Sequence, residues 1–178
     1  MKKDIIITLL IIMLLAVFVL NTDFKSVEDY YLENAENISA GDATVFISIR
    51  CDDIFENEEK LDPALAGLVP QDGTVLEKTE YVLREGDTVF DILTRAVKTH
   101  RIQMEYSGSQ KMRTVYIEGI AHIYEFSCGE LSGWTYLVNG ERPQVGASAY
   151  ALSDGDVIEW IYTCTLTESE LQGGAQNE

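Results

Sequence analysis

The sequence has few cationic residues. It contains 13 Lys and Arg against 30 Asp and Glu, which gives a formal net charge of -17 at pH 7. An acidic surface of this kind repels phosphate backbones and anionic lipid headgroups, so binding to nucleic acid and to the lipid surface is disfavoured. The same charge also keeps a protein in solution, and it is therefore weak evidence for a cationic partner.

Histidine and cysteine are also scarce, with two and three copies, and this scarcity limits metal and nucleophile chemistry. No pair of these residues has the CxxC or HxxxH spacing of a zinc site. Cys128 as a nucleophile would need a base, and only His100 and His122 are available. His100 falls at the end of a predicted helix, and His122 lies in an apolar run where a packed side chain is the ordinary case. The sequence therefore predicts a protein that is not an enzyme.

Proline is rare as well, and two of the three prolines, Pro63 and Pro70, fall in the acidic segment 52–73. This segment has neither the ligand spacing nor the turn glycine of an EF-hand loop. We therefore expect a solvated, irregular loop rather than a calcium site.

The longest apolar run is N-terminal. Lys2 and Lys3 precede residues 5–20, whose only polar member is Thr8, and this order predicts export of the chain that follows. The length falls between the core of a signal peptide and a membrane span. Neither a small-x-small cleavage site nor a cysteine follows the run, which favours an uncleaved anchor over a cleaved signal. We expect a single-pass protein of the cell membrane with an extracellular C-terminal domain, or a secreted protein if the segment is cleaved.

Composition divides the chain into four parts. They are an N-terminal signal anchor or signal peptide (1–21), a polar stalk (22–42), a folded domain (43–166) and a disordered tail (167–178). A domain of roughly 120 residues is large enough to bury one self-sufficient core.

Alternating polar and apolar residues predict the main strands at 44–51, 74–83, 134–138 and 157–164. A hairpin is expected around Ser107 and Gly108. One amphipathic helix follows Thr88, which has Asp91 three residues later in the arrangement of a capping box. The pattern predicts an α+β fold, a mixed sheet with one main amphipathic helix, preceded by the N-terminal transmembrane or signal helix. We expect the first and last strands side by side at the centre of that sheet.

Three cysteines in an exported domain predict one disulfide and one free thiol. Cys51 ends the first predicted strand and Cys164 ends the last. If these strands are parallel neighbours, both cysteines lie at the same end of the sheet, so we predict a Cys51–Cys164 disulfide with Cys128 free. The alternative is a Cys51–Cys128 disulfide with Cys164 free.

Five blocks of the sequence, 85–93, 116–120, 132–140, 146–150 and 154–160, together resemble the DUF4430 family, the transcobalamin-like C-terminal domain of exported bacterial proteins. The resemblance implies a β-grasp-like fold, with cobalamin or another corrinoid as a ligand. It also implies that Trp134, Tyr136 and Asn139 lie at the edge that a ligand approaches. Relatives have a cysteine where this chain has Ala147, and its absence here implies that Cys128 is free.

Two functions agree with these observations. The first is a non-enzymatic extracellular module, tethered to the membrane by its N-terminal helix, that binds a corrinoid, another ligand or a surface protein partner. The second is a structural or adhesion domain at the cell surface with no small-molecule ligand. The burial of Trp134 and Tyr136 bears on the choice, because strand aromatics usually pack in a core, whereas exposed, clustered aromatics indicate a binding surface. In the first case Asn139 faces the ligand, and in the second it only forms a turn.

Overall fold

The structure is a computed structural model that describes residue 13 and residues 38–166. The predicted signal segment 1–21 apart from Met13, the predicted stalk apart from residues 38–42, and the predicted tail 167–178 lie outside the described residues. The chain divides into two units, Met1–Asn34 and Ala35–Glu178, and every element named below belongs to the second. Within the part of the chain that the structure describes, no helix is both long and apolar enough to cross a bilayer.

Strands and one α-helix account for most of the regular structure in residues 38–166. In chain order they are β1 (Thr44–Arg50), β2 (Thr74–Val82), α1 (Val89–Thr99), β3 (Met104–Ser107), β4 (Tyr116–Ile120), β5 (Ile123–Tyr124), β6 (Gly133–Val138) and β7 (Val157–Thr163). The predicted α+β class is confirmed.

A four-stranded mixed sheet forms the centre of the domain, in the order β2-β1-β7-β6. β1 and β7 are parallel, and the two outer pairs are antiparallel. The first and last strands therefore lie side by side at the centre of this sheet, as the sequence predicts. Within β1, the side chains of Val45, Ile47 and Ile49 are fully buried and alternate with half-buried residues, so one face of the sheet supplies the core and the other is partly open.

Helix α1 contacts β1 and buries most of its apolar side chains. It begins after Thr88, whose Oγ1 accepts a hydrogen bond from the Asp91 N–H at 3.3 Å, while the Asp91 carboxylate accepts one from the Thr88 N–H at 2.9 Å. The predicted capping box is confirmed, with Asp in place of the usual Glu or Gln. Arg95, also on the buried side, donates to the Val82 carbonyl at 3.0 Å and forms an ion pair with Asp87, which joins the helix to the end of β2.

The remaining strands form a second, antiparallel sheet in the order β3-β4-β5. β3 and β4 are the hairpin expected around Ser107 and Gly108. β5 follows β4 after a two-residue turn of Ala121 and His122, both with positive φ, at 53° and 64°. The sequence analysis predicts no strand at β5, because two residues are too few to show an alternating pattern.

The acidic segment between β1 and β2 is more ordered than the irregular loop that we expected. It contains three short 3-10 helices, Asp52–Glu56, Glu58–Lys60 and Pro63–Leu65. Asp53 accepts hydrogen bonds from the Cys164 N–H at 2.7 Å and from the Thr163 hydroxyl at 3.0 Å, so the segment is tied to the end of β7. Among the described residues, no three His, Cys, Asp or Glu side chains are grouped so as to hold a metal ion.

Candidate functional site

Two of the predicted ligand residues, Trp134 and Tyr136, lie in the core. Their side chains are only 6% and 7% exposed. The Trp134 indole N–H donates to the Ile123 carbonyl at 2.8 Å, and the Tyr136 hydroxyl donates to the Val145 carbonyl at 2.6 Å. Both polar atoms are thus bonded within the protein, and neither ring presents a surface to a ligand.

Asn139, the third predicted residue, is exposed, but its side chain is bonded within the protein. It lies in the turn after β6 with φ of 55°, and Gly140 follows with φ of 79°. The Asn139 amide N–H donates to the Asp156 carboxylate at 2.8 Å, and its amide oxygen accepts from the Val157 N–H at 2.9 Å. Asn139 therefore joins two turns at one end of the sheet.

All three cysteines are buried free thiols, so the predicted Cys51–Cys164 disulfide is not formed in the structure. Arg50 lies opposite Ile161 in the parallel pair, which places Cys164 two residues beyond the position opposite Cys51. With a rise of about 3.3 Å per residue and about 4.8 Å between strands, their Cα atoms are about 8 Å apart. A disulfide spans at most about 7 Å between Cα atoms, so the register keeps these two cysteines apart.

Cys128 presents no accessible thiol to a substrate. Its side chain is fully buried, and its Sγ donates to the Asn57 carbonyl at 3.5 Å. The base that the nucleophile hypothesis would require, His122, has an exposed side chain at the β4–β5 turn.

Phe126 is exposed and held in a strained backbone conformation. Its side chain is 58% exposed and its φ is 65°, a region that bulky side chains rarely adopt. Ala121 and His122, just before it, also have positive φ. Strain of this kind costs about 1–3 kcal/mol per residue, and it clusters at functional sites.

Hydrogen bonds fix the backbone around this residue. The Phe126 N–H donates to the Ser132 carbonyl at 3.0 Å, and the Cys128 N–H donates to the Ser132 hydroxyl oxygen at 2.9 Å. The Tyr162 hydroxyl donates to the Tyr124 carbonyl at 2.9 Å. The exposed ring is thus presented by a backbone that is already ordered.

Residues 121–132 form a corner between the two sheets, which we call the Phe126 corner. His122, Phe126, Glu130 and Leu131 are its exposed side chains, and Leu131 is 47% exposed. No role of Phe126 or Leu131 is predicted from the sequence, because no local sequence pattern indicates a phenylalanine with positive φ. The only sequence signal for Phe126 is that it is a single large apolar residue in an otherwise polar turn.

A shallow cleft of about 270 Å³ lies at the open face of the four-stranded sheet. Its lining consists of Arg50, Asp52, Asp53, Glu56, Glu159 and Ile161. The Arg50 guanidinium pairs with Asp52 at 3.0 Å, and Asp53 already accepts from the end of β7. Ligand pockets usually measure about 300–1,000 Å³, so this cleft is small and several of its charged groups are already bonded.

These features define a class: a small α+β domain on a mixed sheet, with an exposed apolar corner beside buried strand aromatics. Residues 86–164 match the model of DUF4430, a domain of unknown function. The resemblance inferred from the sequence is confirmed over that range. β1 and β2 lie before the matched residues, although they belong to the same sheet as β6 and β7.

Two solved structures are similar to this chain. One is a candidate metal-binding protein from Ruminococcus gnavus ATCC 29149, with 14% identity, a TM-score of 0.42, and alignment over 68% of this chain and 96% of that one. The other is haptocorrin in complex with Cbi, with 17% identity, a TM-score of 0.46, and alignment over 75% of this chain. The aligned part is 28% of the haptocorrin chain. A search of curated proteins found no match.

Proposed function

We propose that this chain is a non-enzymatic binding module, held outside a cell membrane by its N-terminal segment, that recognises its ligand through the Phe126 corner. The observation that carries this proposal is an exposed phenylalanine with positive φ on a backbone fixed by hydrogen bonds. An apolar ring in water and a strained backbone both cost free energy, and neither stabilises the fold. Backbone strain of this kind clusters at functional sites, which supports a role of Phe126 in recognition.

A corrinoid is the first ligand to test, because the DUF4430 resemblance implies a transcobalamin-like, β-grasp-like domain. A corrin ring is a broad macrocycle with large apolar surfaces, which an aromatic ring and a leucine can contact. Phe126 and Leu131 are the exposed residues of these types at the Phe126 corner. The ligand would lie on the surface of the domain, since the acidic cleft is too small to enclose it.

Calorimetric titration of the full chain in detergent with cobalamin and with cobinamide tests this proposal. We expect a micromolar or tighter dissociation constant, roughly -8 kcal/mol. Phe126→Ala should weaken binding about tenfold, because an aromatic contact contributes about 0.5–1.5 kcal/mol beyond its buried area. Phe55→Ala is the matched control, since Phe55 is 40% exposed in another segment, and it should leave the affinity unchanged.

Two results would contradict the proposal. No heat with either corrinoid at high micromolar concentration would exclude the corrinoid as a ligand. Equal weakening by Phe126→Ala and Phe55→Ala would exclude the Phe126 corner as the binding surface. The first result would favour the alternative function, a structural or adhesion domain that contacts a surface protein and has no small-molecule ligand.

The proposed location is tested on intact cells. A protease added outside should cleave the 43–166 domain without lysis if the domain is extracellular. The mass of the mature chain should include residues 1–21 if the N-terminal segment is an uncleaved anchor. Loss of that segment would mean a secreted domain instead.

A further inference from the structure

The chain segments at the open end of the β6–β7 pair bring Cys164 next to Ser132. Gly133 lies opposite Thr163 in the antiparallel register, so Ser132 is the residue across from Cys164. The contact continues past the strands, because the N–H of residue 166 donates to the carbonyl of residue 131 at 2.7 Å. The position of Cys164 is therefore fixed by backbone pairing on both sides.

Cys128, which belongs to the Phe126 corner, is hydrogen-bonded to the same residue, Ser132. Its N–H donates to the Ser132 hydroxyl oxygen at 2.9 Å, and that hydroxyl donates to the Gly129 carbonyl at 2.8 Å. Burial and the neighbouring Cys128 thiol raise the pKa of the Cys164 thiol. Both side chains are buried, at 0% and 3% exposure, so both thiols lie in a dry environment.

We propose that Cys128 and Cys164 are the oxidation site of this domain and form a disulfide, which leaves Cys51 as the free thiol. Cys51 lies at the other side of β7, where its charged neighbours are Asp52, Asp72 and Arg50. Its Cα lies about 8 Å from that of Cys164 by the strand register. Ser132 brings Cys128 and Cys164 together, since its hydroxyl oxygen accepts from the Cys128 N–H and its position in the register is opposite Cys164.

Formation of this bond needs an oxidant of the disulfide class, such as glutathione disulfide or a disulfide-bearing oxidoreductase. One cysteine thiolate attacks a sulfur of the oxidant and forms a mixed disulfide, and the second thiolate then displaces the oxidant's remaining thiol. The two cysteines lose two protons and two electrons, and the oxidant's disulfide becomes two thiols. Because both cysteines are buried in the folded domain, we expect the exchange during folding, before this end of the sheet closes.

The experiment is oxidative refolding of the full chain from urea in detergent with glutathione disulfide. Trypsin cannot separate the two cysteines, because the only Lys or Arg between them, Arg142, precedes Pro143. A protease that cleaves after glutamate separates them at Glu130, Glu141 and Glu159. Non-reducing peptide mass spectrometry should then show the Cys128 peptide linked to the Cys164 peptide.

Two variants make the result decisive. Cys51→Ser keeps the proposed pair, so after oxidation and unfolding it should show no thiol that reacts with an alkylating agent. Cys128→Ser should instead keep two reactive thiols, and circular dichroism checks that both variants fold. A link that includes Cys51 in the native sequence would overturn the proposal. Two reactive thiols, or added glutathione, in oxidised Cys51→Ser would also overturn it.

Discussion

Asn139 stabilises the turn after β6 through its backbone and its side chain, with φ of 55° and two hydrogen bonds. Asn139→Ala should lower the free energy of unfolding by about 3 kcal/mol, because it loses two bonds of about 1 kcal/mol each and strains the turn by about 1 kcal/mol. Asn139→Gly keeps the positive φ without strain, so its loss should be about 1 kcal/mol smaller. Urea denaturation followed by tryptophan fluorescence measures both, and equal losses would contradict this account.

Cys51 sets an alkaline limit on stability. Burial, with the carboxylates of Asp52 and Asp72, raises the pKa of Cys51 from 9.0 to about 12. The unfolded thiol loses its proton near pH 9 while the folded thiol keeps it, so the free energy of unfolding should fall as the pH rises from about 9 to about 12. Urea denaturation across this range should show a shallower fall for Cys51→Ala. Parallel profiles for the two proteins would exclude the contribution of Cys51.

Burial of single residues was partly predictable from the sequence. Alternation in the β6 segment places Trp134 and Tyr136 on one face, and both are in the core. Alternation indicates which side chains face the core but not which residues have a positive φ. The sequence therefore did not predict the exposed, strained conformation of Phe126. The burial of Trp134 also affects experimental design, because Trp134→Ala should cost about 3–5 kcal/mol of stability and cannot report on binding alone.

At the scale of elements, the Arg95–Asp87 ion pair ties helix α1 to the turn that precedes it, and the Arg95–Val82 hydrogen bond ties it to the end of β2. The two side chains are only 7% and 13% exposed. Asp87→Asn should lower the free energy of unfolding by about 3 kcal/mol, because it removes the Asp87 counter-charge from a buried guanidinium.

The exposed pair Arg50–Asp52 provides a matched control, since these side chains are 44% and 45% exposed. Asp52→Asn should cost less than about 1 kcal/mol, because water screens exposed charges. Thermal or urea denaturation of both variants compares the pairs directly. Similar losses in the two variants would show that burial does not control the contribution of Arg95.

Strand positions and the capping box at Thr88 followed from the sequence, because alternation and local side-chain bonding are short-range signals. Strand partners and register are long-range properties. For this reason the separate β3-β4-β5 sheet was not predicted. The two-residue offset between Cys51 and Cys164 in the strand register could not be predicted from the sequence either. This offset separates the two cysteines, although the order of the strands places both at the same end of the sheet.

At the scale of the whole molecule, the choice of disulfide depends on geometry rather than on chain entropy. A Cys128–Cys164 bond would close a loop of about 36 residues and contribute about 4 kcal/mol in the chain-entropy model. A Cys51–Cys164 bond would close a loop of more than about 100 residues and contribute nearly the same, because the entropy depends on the logarithm of loop length. Loop length therefore does not select between them, whereas the strand register and the position of Ser132 do.

The central position of β7 determines when the domain can fold during its synthesis. Its partner β1 pairs Phe46 with Val157, so the middle of the sheet joins residues from opposite ends of the domain. Pairing of such distant segments is slow compared with local helix formation. A ribosome must complete nearly the whole domain before β1 and β6 gain the strand that lies between them. A nascent chain that stops before residue 157 would leave β1 unpaired on one side and β6 without its strand partner, and such unpaired strands are targets for chaperones and quality-control proteases.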